Sequence, residues 1–340
     1  MISRRNFTRA LATVPVFGHA GSSLAQDLST GAGHSYPDRP IRLLVGLAPG
    51  GIADITARFI APRLGEILGR QVIVENRTGA GGAIATRAVA QSAPDGYTLL
   101  MAFDGTHVTL PAANPGIGFE PVGDFAMIGK VVDAPVLVTA HSSFPAKDFG
   151  EFIALSRKSI GRGQIFDYGT SGVASTGHLT MELLKQRLGF YAVHIPYRGG
   201  GDARAQVLGR QIPLMLAAVP TTANDVRAHL LKGLAVTSAQ RSPVLPGVPT
   251  LAELGYKETA GIDINSWVGL MAPSRTPPAI VAKLDAALRQ TLATDEVHTR
   301  LLNSGSTPVK SSPEMFKSQV TSDLARWKGV IRDSNLRLEA

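Results

Sequence analysis

The chain has 340 residues, of which 44% are hydrophobic and 18% are charged, a balance typical of globular proteins. It contains no cysteine, which excludes disulfides, cysteine-based metal sites, thiol nucleophiles and a lipid anchor on an N-terminal cysteine. The formal net charge is +8. Because the Lys and Arg residues are scattered and not interleaved with aromatics, this charge does not indicate a nucleic-acid surface, although it favours the approach of anionic solutes.

The first 25 residues have the pattern of an export signal. Residues 3–9 carry three arginines and precede a weakly apolar stretch and a small-x-small end at Ala25, as in secretory signals. The adjacent Arg4 and Arg5 favour a twin-arginine signal, while a Sec signal that happens to hold two arginines stays open as the alternative. We therefore predict cleavage after Ala25, a slack linker over residues 26–36 and a periplasmic mature protein.

The mature chain repeats one order of elements, in which a short apolar strand is followed by a Gly-rich or polar turn and then by a helical pattern. The first strands are predicted over residues 41–45, 71–74 and 97–101, with turns at 48–54, 79–82 and 104–107 and helices up to Gly69 and over 83–91. After Pro135, strands are predicted over residues 136–138, 165–168, 193–197, 212–216 and 234–237, with helices over 147–158 and from the turn at 169–176 to Leu188. Two closing helices begin at Thr276-Pro277 and Ser312-Pro313, the second with apolar residues at helical spacing that indicate core packing. This order predicts an α/β protein with parallel strands.

Signatures of catalysis and of cofactor binding are missing. The nearest approach to a Gly-x-Ser-x-Gly elbow, residues 169–173, lacks its last glycine, and there is no Walker loop or dinucleotide fingerprint. The eight histidines show no metal-ligand spacing. We therefore expect no cofactor, no metal and no enzymatic activity. A periplasmic hydrolase with dispersed catalytic residues remains the less favoured alternative.

Several of the Gly/Ser/Thr turns open onto predicted helix N-termini. Backbone N–H groups are unpaired at such ends and, with the helix dipole, bind anions without a dedicated arginine. In open α/β sheets these turns gather at the carboxyl ends of the strands. Any one of them could be a tight turn and nothing more, but five of similar character favour a shared cleft for an anion.

Eight segments match, in chain order, the pattern of one known family. They are residues 36–41 (Tyr-Pro-Asp-Arg-Pro-Ile), 49–54 (Pro-Gly-Gly-Ile-Ala-Asp), 74–82, 93–100, 194–199, 234–242, 246–253 and 266–270. Together they make the chain resemble the Bug/TctC family, the extracytoplasmic solute receptors of tripartite tricarboxylate transporters.

The resemblance implies a two-lobed type II periplasmic binding protein, or Venus flytrap, in which each lobe is a mostly parallel sheet flanked by helices. Residues 37–137 plus 260–340 would form the first lobe and residues 138–259 the second. The implied partners are a small carboxylate ligand and the membrane permease subunits of a tripartite transporter, with the receptor acting as a monomer. A ligand-sensing receptor for a signalling system is the alternative within the same family.

By the same resemblance, backbone groups and ordered waters between the lobes would bind the ligand. The residues expected there are Pro49, Gly50, Gly51, Ala53, Asp54, Asp104, Gly105 and Thr106 from the first lobe and Thr170, Ser171, Gly172, Ser175, Thr176, His178, Tyr197, Gly199 and Gly200 from the second.

Two departures from the family pattern bear on the ligand. Leu47 and Ala48 stand where the family usually has an aromatic residue and a proline. Residues 216–220 read Leu-Ala-Ala-Val-Pro, where the family often has Phe-Asp-Asn. Because a polar side chain able to recognise an amine or a hydroxyl is missing there, we predict an apolar or aromatic carboxylate and not an amino acid.

Overall fold

The observed elements follow the alternation of apolar strands and Gly-rich turns, in a computed structural model that describes residues 36–334. The signal peptide, the cleavage after Ala25 and all but the last residue of the predicted linker lie outside the described residues. The first elements are β1 (Ile41–Val45), α1 (Ile52–Leu68), β2 (Val72–Asn76), α2 (Ala83–Ala90), β3 (Thr98–Phe103) and α3 (Leu110–Ala113). The middle of the chain forms β4 (Phe125–His141), α4 (Phe149–Ile160), β5 (Phe166–Thr170), α5 (Thr176–Leu188), β6 (Ala192–Pro196), α6 (Gly200–Leu208), β7 (Leu214–Ala218), α7 (Val219–Arg227) and β8 (Leu231–Val236). The last elements are β9 (Asn265–Pro273), α8 (Pro278–Ala293), α9 (Asp295–Ser304), β10 (Thr307–Pro308) and α10 (Pro313–Asp333).

One strand, β4, joins two parts of the sheet, whose order is β2-β1-β3-β9-β4-β7-β5-β6. Residues 125–135 of β4 pair with β9, whereas residues 136–141 pair with β7 and β8. We call β2, β1, β3, β9 and the first part of β4 the first sheet half. The second part of β4 with β7, β8, β5 and β6 is the second sheet half.

The sheet is mixed. Strands β1, β2 and β3 run parallel, as do β5, β6 and β7, which confirms the predicted parallel α/β core of each half. Strand β9 is antiparallel to both β3 and β4, and β4 is antiparallel to β7 and β8. Each antiparallel pair therefore includes β4, which runs through both halves, or β9.

Local sequence signals account for several boundaries. Helix α1 ends, as predicted, at Gly69, which adopts a left-handed conformation with φ of 72°, and it continues through Pro62 without a break. The predicted capping box is present: Glu253 N–H donates to Thr250 Oγ1 at 3.2 Å, and Thr250 N–H donates to a Glu253 carboxylate oxygen at 2.7 Å.

Helices α6, α7 and α9 and the first part of β4 were not predicted. Helix α6 begins with Gly200 and Gly201, which are poor helix formers, so packing decides its conformation. Helix α7 contains Pro-Thr-Thr and lacks an apolar run. Only Thr294 separates α8 from α9, so the two helices read as a single pattern.

The closing helix α10 contributes to the core as predicted. Its Phe316, Val320 and Trp327 are buried, and the Phe316 ring packs edge-on against Trp267 of β9 with ring centroids 5.1 Å apart. Burial of each such side chain stabilises the fold by about 1.5–3 kcal/mol. Among the described residues, no helix is both long and apolar enough to cross a membrane.

Candidate functional site

Four helices begin at one narrow gap between the sheet halves, which we call the central gap. They are α1 from the first half and α5, α6 and α7 from the second. The residues that line the gap are Leu47, Gly51, Ile52, Phe103, Val136, Ser171, Gly177, Gly200, Leu216, Ala217, Ala218, Thr221 and Ser266. Its volume is about 20 Å³, which is space for about one water molecule. The two halves therefore lie close together.

The electrostatic field of the central gap comes from the backbone. None of its lining residues is charged. Helices α1, α6 and α7 begin without a side-chain cap, so side chains do not satisfy the N–H groups of their first turns. Four positive helix ends converge on apolar walls, an arrangement that can bind an anion through main-chain groups.

Hydrogen bonds cross directly between the halves beside this gap. The Ala48 N–H donates to the carbonyl of Arg198 at 3.1 Å, and Thr176 Oγ1 donates to Asp104 Oδ2 at 2.6 Å. The approach is so close that a Cβ added at Gly201 would lie 1.8 Å from the Pro49 carbonyl oxygen. Only glycine fits at position 201 in this closed arrangement.

On the first-half side, Asp54 holds the loop that precedes α1. Its carboxylate accepts from Gly50 N–H at 3.0 Å, from Arg58 Nε at 3.0 Å and from Asn76 Nδ2 at 2.9 Å. Burial raises the pKa of Asp54, but the bonds from Arg58, Gly50 and Asn76 outweigh it and hold the pKa below its ordinary value. Asp54 therefore fixes the shape of the loop as an anion and does not itself line the gap.

The predicted turn after β3 is helical and buried. Residues Gly105–Thr109 form a π-helical turn that runs into α3, and Thr106 Oγ1 donates to the Gly81 carbonyl at 2.6 Å. Phe103, just before this turn, lines the central gap, whereas Asp104, Gly105 and Thr106 lie outside its lining. The neighbouring His107 belongs to the core, where burial lowers its pKa to about 4.

On the second-half side, neutral side chains hold the start of α5. Thr170 Oγ1 lies 2.7 Å from His194 Nε2 and accepts from Ser175 Oγ at 3.1 Å. His178 Nδ1 accepts from Ala174 N–H at 3.0 Å, and the His178 and His194 rings stack 3.7 Å apart. Burial lowers the pKa of His178 to about 4 and that of His194 to about 3, so both rings are uncharged at neutral pH.

The structure distributes the predicted site residues over three positions. Gly51, Ser171 and Gly200 line the central gap. Gly172 and Tyr197 line a separate open groove of about 640 Å³. The other predicted residues lie outside the gap lining but in the same loops and helix ends: Pro49, Gly50, Ala53, Asp54, Asp104, Gly105, Thr106, Thr170, Ser175, Thr176, His178 and Gly199. Their role in binding stays a prediction.

Sequence reasoning missed most of the gap walls. Leu47, Ala217 and Ala218 were noted as departures from the family pattern but not as site residues, and Phe103, Val136 and Ser266 lie within or at the ends of strands. The strand-to-helix corner from β7 to α7 was the available signal for Ala218 and Thr221. Across residues 36–334, no group of three or more His, Cys, Asp or Glu side chains could hold a metal ion.

Comparison with known proteins identifies the family. Residues 56–336 match the model of TctC, described as the tripartite tricarboxylate transporter family receptor. The chain belongs to the TctC family. Protein BugT of Bordetella pertussis is 32% identical over 98% of this chain and 100% of its own length. This confirms the resemblance noted from the sequence segments.

Solved structures confirm the fold. The periplasmic binding protein BugD is 32% identical, with a TM-score of 0.83 over 89% of this chain and 100% of BugD. A Rhodopseudomonas palustris protein solved with adipate is 31% identical, with a TM-score of 0.83 over 88% of this chain and 98% of that protein. This TctC-family chain therefore has the predicted α/β fold of periplasmic binding proteins.

Proposed function

We propose that this chain is a periplasmic solute-binding receptor that captures a small carboxylate with an apolar or aromatic body. It would act as a monomer and present its ligand to the membrane permease of a tripartite transporter, without chemical conversion. The observation that carries the proposal is the convergence of four helix N-termini on an apolar gap whose lining residues are uncharged. Such a site compensates one carboxylate with main-chain N–H groups.

The two sheet halves supply the moving parts of this receptor. In the proposal, residues 37–137 plus 260–340 form one lobe and residues 138–259 the other, with β4 and the segment 237–264 as the two crossings between them. A gap of about 20 Å³ is far smaller than the ~300–1,000 Å³ of typical ligand sites. The lobes must therefore separate to admit a ligand and close around it, and the ligand favours closure through its higher affinity for the closed state.

The composition of the walls supports the ligand class. Leu47, Ile52, Phe103 and Leu216 offer apolar surface to the body of the ligand. The lining residues provide no carboxylate to pair with an ammonium group, so an amino acid would leave its charge without a partner. The relative solved with adipate carries a dicarboxylate whose centre is a chain of methylene groups, in keeping with this class.

A binding panel tests the proposal. Adipate, benzoate, aspartate and glutamate would each be added to the mature protein, and thermal unfolding would be followed. We expect adipate or benzoate to raise the unfolding midpoint. At a ligand concentration of 100 times the dissociation constant, binding should stabilise the folded protein by about 2.7 kcal/mol. The ligand should be recovered chemically unchanged afterwards. Stabilisation by aspartate or glutamate alone would contradict the ligand class, and no response to any of the four would contradict the receptor.

A matched pair of variants tests whether the carboxylate binds in the central gap. Ala217→Asp puts a carboxylate into the lining and should weaken carboxylate binding at least about tenfold, since like charges repel in a site of low dielectric. Ala282→Asp adds the same charge at an exposed position of α8 and should leave the affinity unchanged. Equal effects of the two variants would argue against the central gap as the binding site.

A further inference from the structure

A buried carboxyl group connects the two sheet halves beside the central gap. Asp104 directly follows β3 of the first half and is only 4% exposed. Its Oδ2 accepts from the hydroxyl of Thr176, the first residue of α5 in the second half, at 2.6 Å. Its other oxygen, Oδ1, is buried and has no well-formed hydrogen bond. An ionised carboxylate here loses its water without full replacement.

The surroundings of Asp104 add no positive charge. Asp323 of α10 is the charged neighbour whose field acts on it, and Asp323 already accepts from Trp267 Nε1 and pairs with Arg326. Strand β3 and helix α3 carry no titratable side chain. The other titratable groups on elements packed around the 105–109 turn are bonded elsewhere or exposed: Arg87, His178, Glu182, Lys185, Arg187, Glu314, Lys317, Lys328, Arg332 and Asp333. Within the turn, His107 is buried and bonds to the Pro121 carbonyl.

These conditions change the protonation of Asp104. Burial raises its pKa most and the charge of Asp323 raises it further, whereas the Thr176 hydroxyl and the backbone N–H groups of Gly105 and Trp267 lower it, which leaves the pKa at about 7 in the closed arrangement. If the halves separate, the carboxyl loses Thr176 and meets water. Its pKa then returns toward an ordinary value near 4.

We propose that Asp104 couples closure of the receptor to the uptake of one proton, so that the receptor holds its carboxylate more tightly in mildly acidic than in alkaline solution. This inference rests on the proposed function, because it requires halves that separate and close around a ligand.

The direction of the effect follows from linkage. Below about pH 4 the carboxyl is protonated in both states, and closure has no protonation cost. Between about pH 4 and about pH 7, closure takes up a proton. As the pH rises through this range, the equilibrium constant for closure falls by up to tenfold per pH unit. Above about pH 7 the group is ionised in both states and the cost is constant. The pKa values of the buried His107 and His178 and of the partly buried His194 are about 4, 4 and 3, so these side chains stay neutral through the upper part of this range.

Isothermal titration calorimetry with adipate or benzoate tests the inference. At about pH 6.5, in buffers with different heats of ionisation, the wild-type receptor should take up about 0.75 proton per ligand bound. Its affinity should be about tenfold higher at about pH 6 than at about pH 8. Asp104→Asn keeps an acceptor for Thr176 but cannot ionise, so its binding should take up no proton and be independent of pH. Asp295→Asn serves as the control, because Asp295 is exposed in the first turn of α9 and should leave the uptake as in the wild type.

The outcomes separate this inference from the proposed function. Carboxylate binding without proton uptake, or uptake that Asp104→Asn leaves unchanged, overturns the proton coupling alone. Failure of every carboxylate in the panel to bind counts against the receptor itself. If Asp104→Asn does not fold, ¹³C NMR titration of the wild-type aspartate carboxyls still decides. One carboxyl should move from a pKa near 4 toward about 7 when adipate is added, and identical titrations overturn the proposal.

Discussion

Both sheet halves place helix N-termini at the central gap, but different kinds of side chain hold those helix ends in position. In the first half, an ionised carboxylate, Asp54, ties the loop before α1 to Arg58 and Asn76. In the second half, the start of α5 is held by hydroxyl groups and by two stacked, uncharged imidazoles, His178 and His194. We call Asp54 with its hydrogen-bond partners the charged support, and the hydroxyl groups with His178 and His194 the neutral support. The charged support holds its loop only while Asp54 is ionised, and the neutral support holds α5 only while the imidazoles are uncharged. The two halves should therefore respond to acid through different groups and over different pH ranges.

The largest effect is expected where the halves meet. A Cβ at residue 201 cannot coexist with the Pro49 carbonyl of the closed arrangement, so Gly201→Ala should weaken adipate or benzoate binding about 100-fold, or about 3 kcal/mol. The unfolding midpoint without ligand should change little, because each half keeps its own packing. Calorimetry and thermal unfolding measure the two quantities. Gly329→Ala, where an added Cβ meets nothing within 4 Å, is the control, and full affinity in Gly201→Ala would show that this contact plays no part in closure.

The charged support should be the next most sensitive. Asp54→Ala leaves Gly50 N–H and the Asn76 amide without their acceptor and should lower the free energy of unfolding by about 2 kcal/mol at neutral pH, an estimate that allows for the exposure of Arg58. Because the folded-state pKa of Asp54 is lowered, its stabilisation is present above the ordinary carboxyl pKa and is lost as the pH falls through the folded-state value. Urea unfolding should therefore show the difference shrinking below about pH 4.

A surface carboxylate provides the comparison for Asp54. Asp202 pairs with Arg198, which is 75% exposed, and Asp202→Ala should change the free energy of unfolding by less than about 0.5 kcal/mol. A loss in Asp202→Ala as large as that in Asp54→Ala would contradict the special role given to the α1 loop.

The neutral support should give the smallest effect, over a higher pH range. The folded-state pKa of His194 is lowered to about 3, whereas its pKa in the unfolded chain is about 6.5. Below about pH 6.5 the unfolded chain therefore binds a proton that the folded protein does not bind, and the free energy of unfolding falls. His194→Gln should lose about 1 kcal/mol less than the wild type between about pH 7 and about pH 5.5. Urea unfolding at both pH values measures this difference, with the exposed His298→Gln as control. Parallel losses in wild type and His194→Gln would mean that the stack is not the acid-sensitive part.

Local signals predicted the fold where the chain itself carries them. The apolar run of β1, the glycine that ends α1 and the capping box at Thr250 all act within a few residues, and all were found. The unpredicted helices α6 and α7 begin with residues of low helix propensity and form because they pack against β7. A propensity pattern cannot report packing of this kind.

Part of the candidate site could also be predicted from local sequence, and part could not. The Gly- and Ser-rich turns indicated the helix ends from which Gly51, Ser171 and Gly200 reach the gap. Its walls depend on strands that meet from distant parts of the chain, as when Asn265 of β9 pairs with Pro135 of β4. The contact between Asp104 and Thr176 likewise joins residues 72 positions apart. Sequence spacing does not encode such neighbours.

The place of β9 in the sheet sets the order in which the molecule can be assembled. The strands of the second sheet half are all synthesised by residue 236, whereas β3 and the first part of β4 stay apart until residues 265–273 arrive to lie between them. In a growing chain all strands of the second sheet half are therefore available before the first half is complete. Until β9 is made, β3 and β4 of the first half have unpaired edges, which can pair with strands of other chains. Because contacts of such large sequence separation form slowly, a chain truncated before β9 should precipitate and not fold into a smaller receptor.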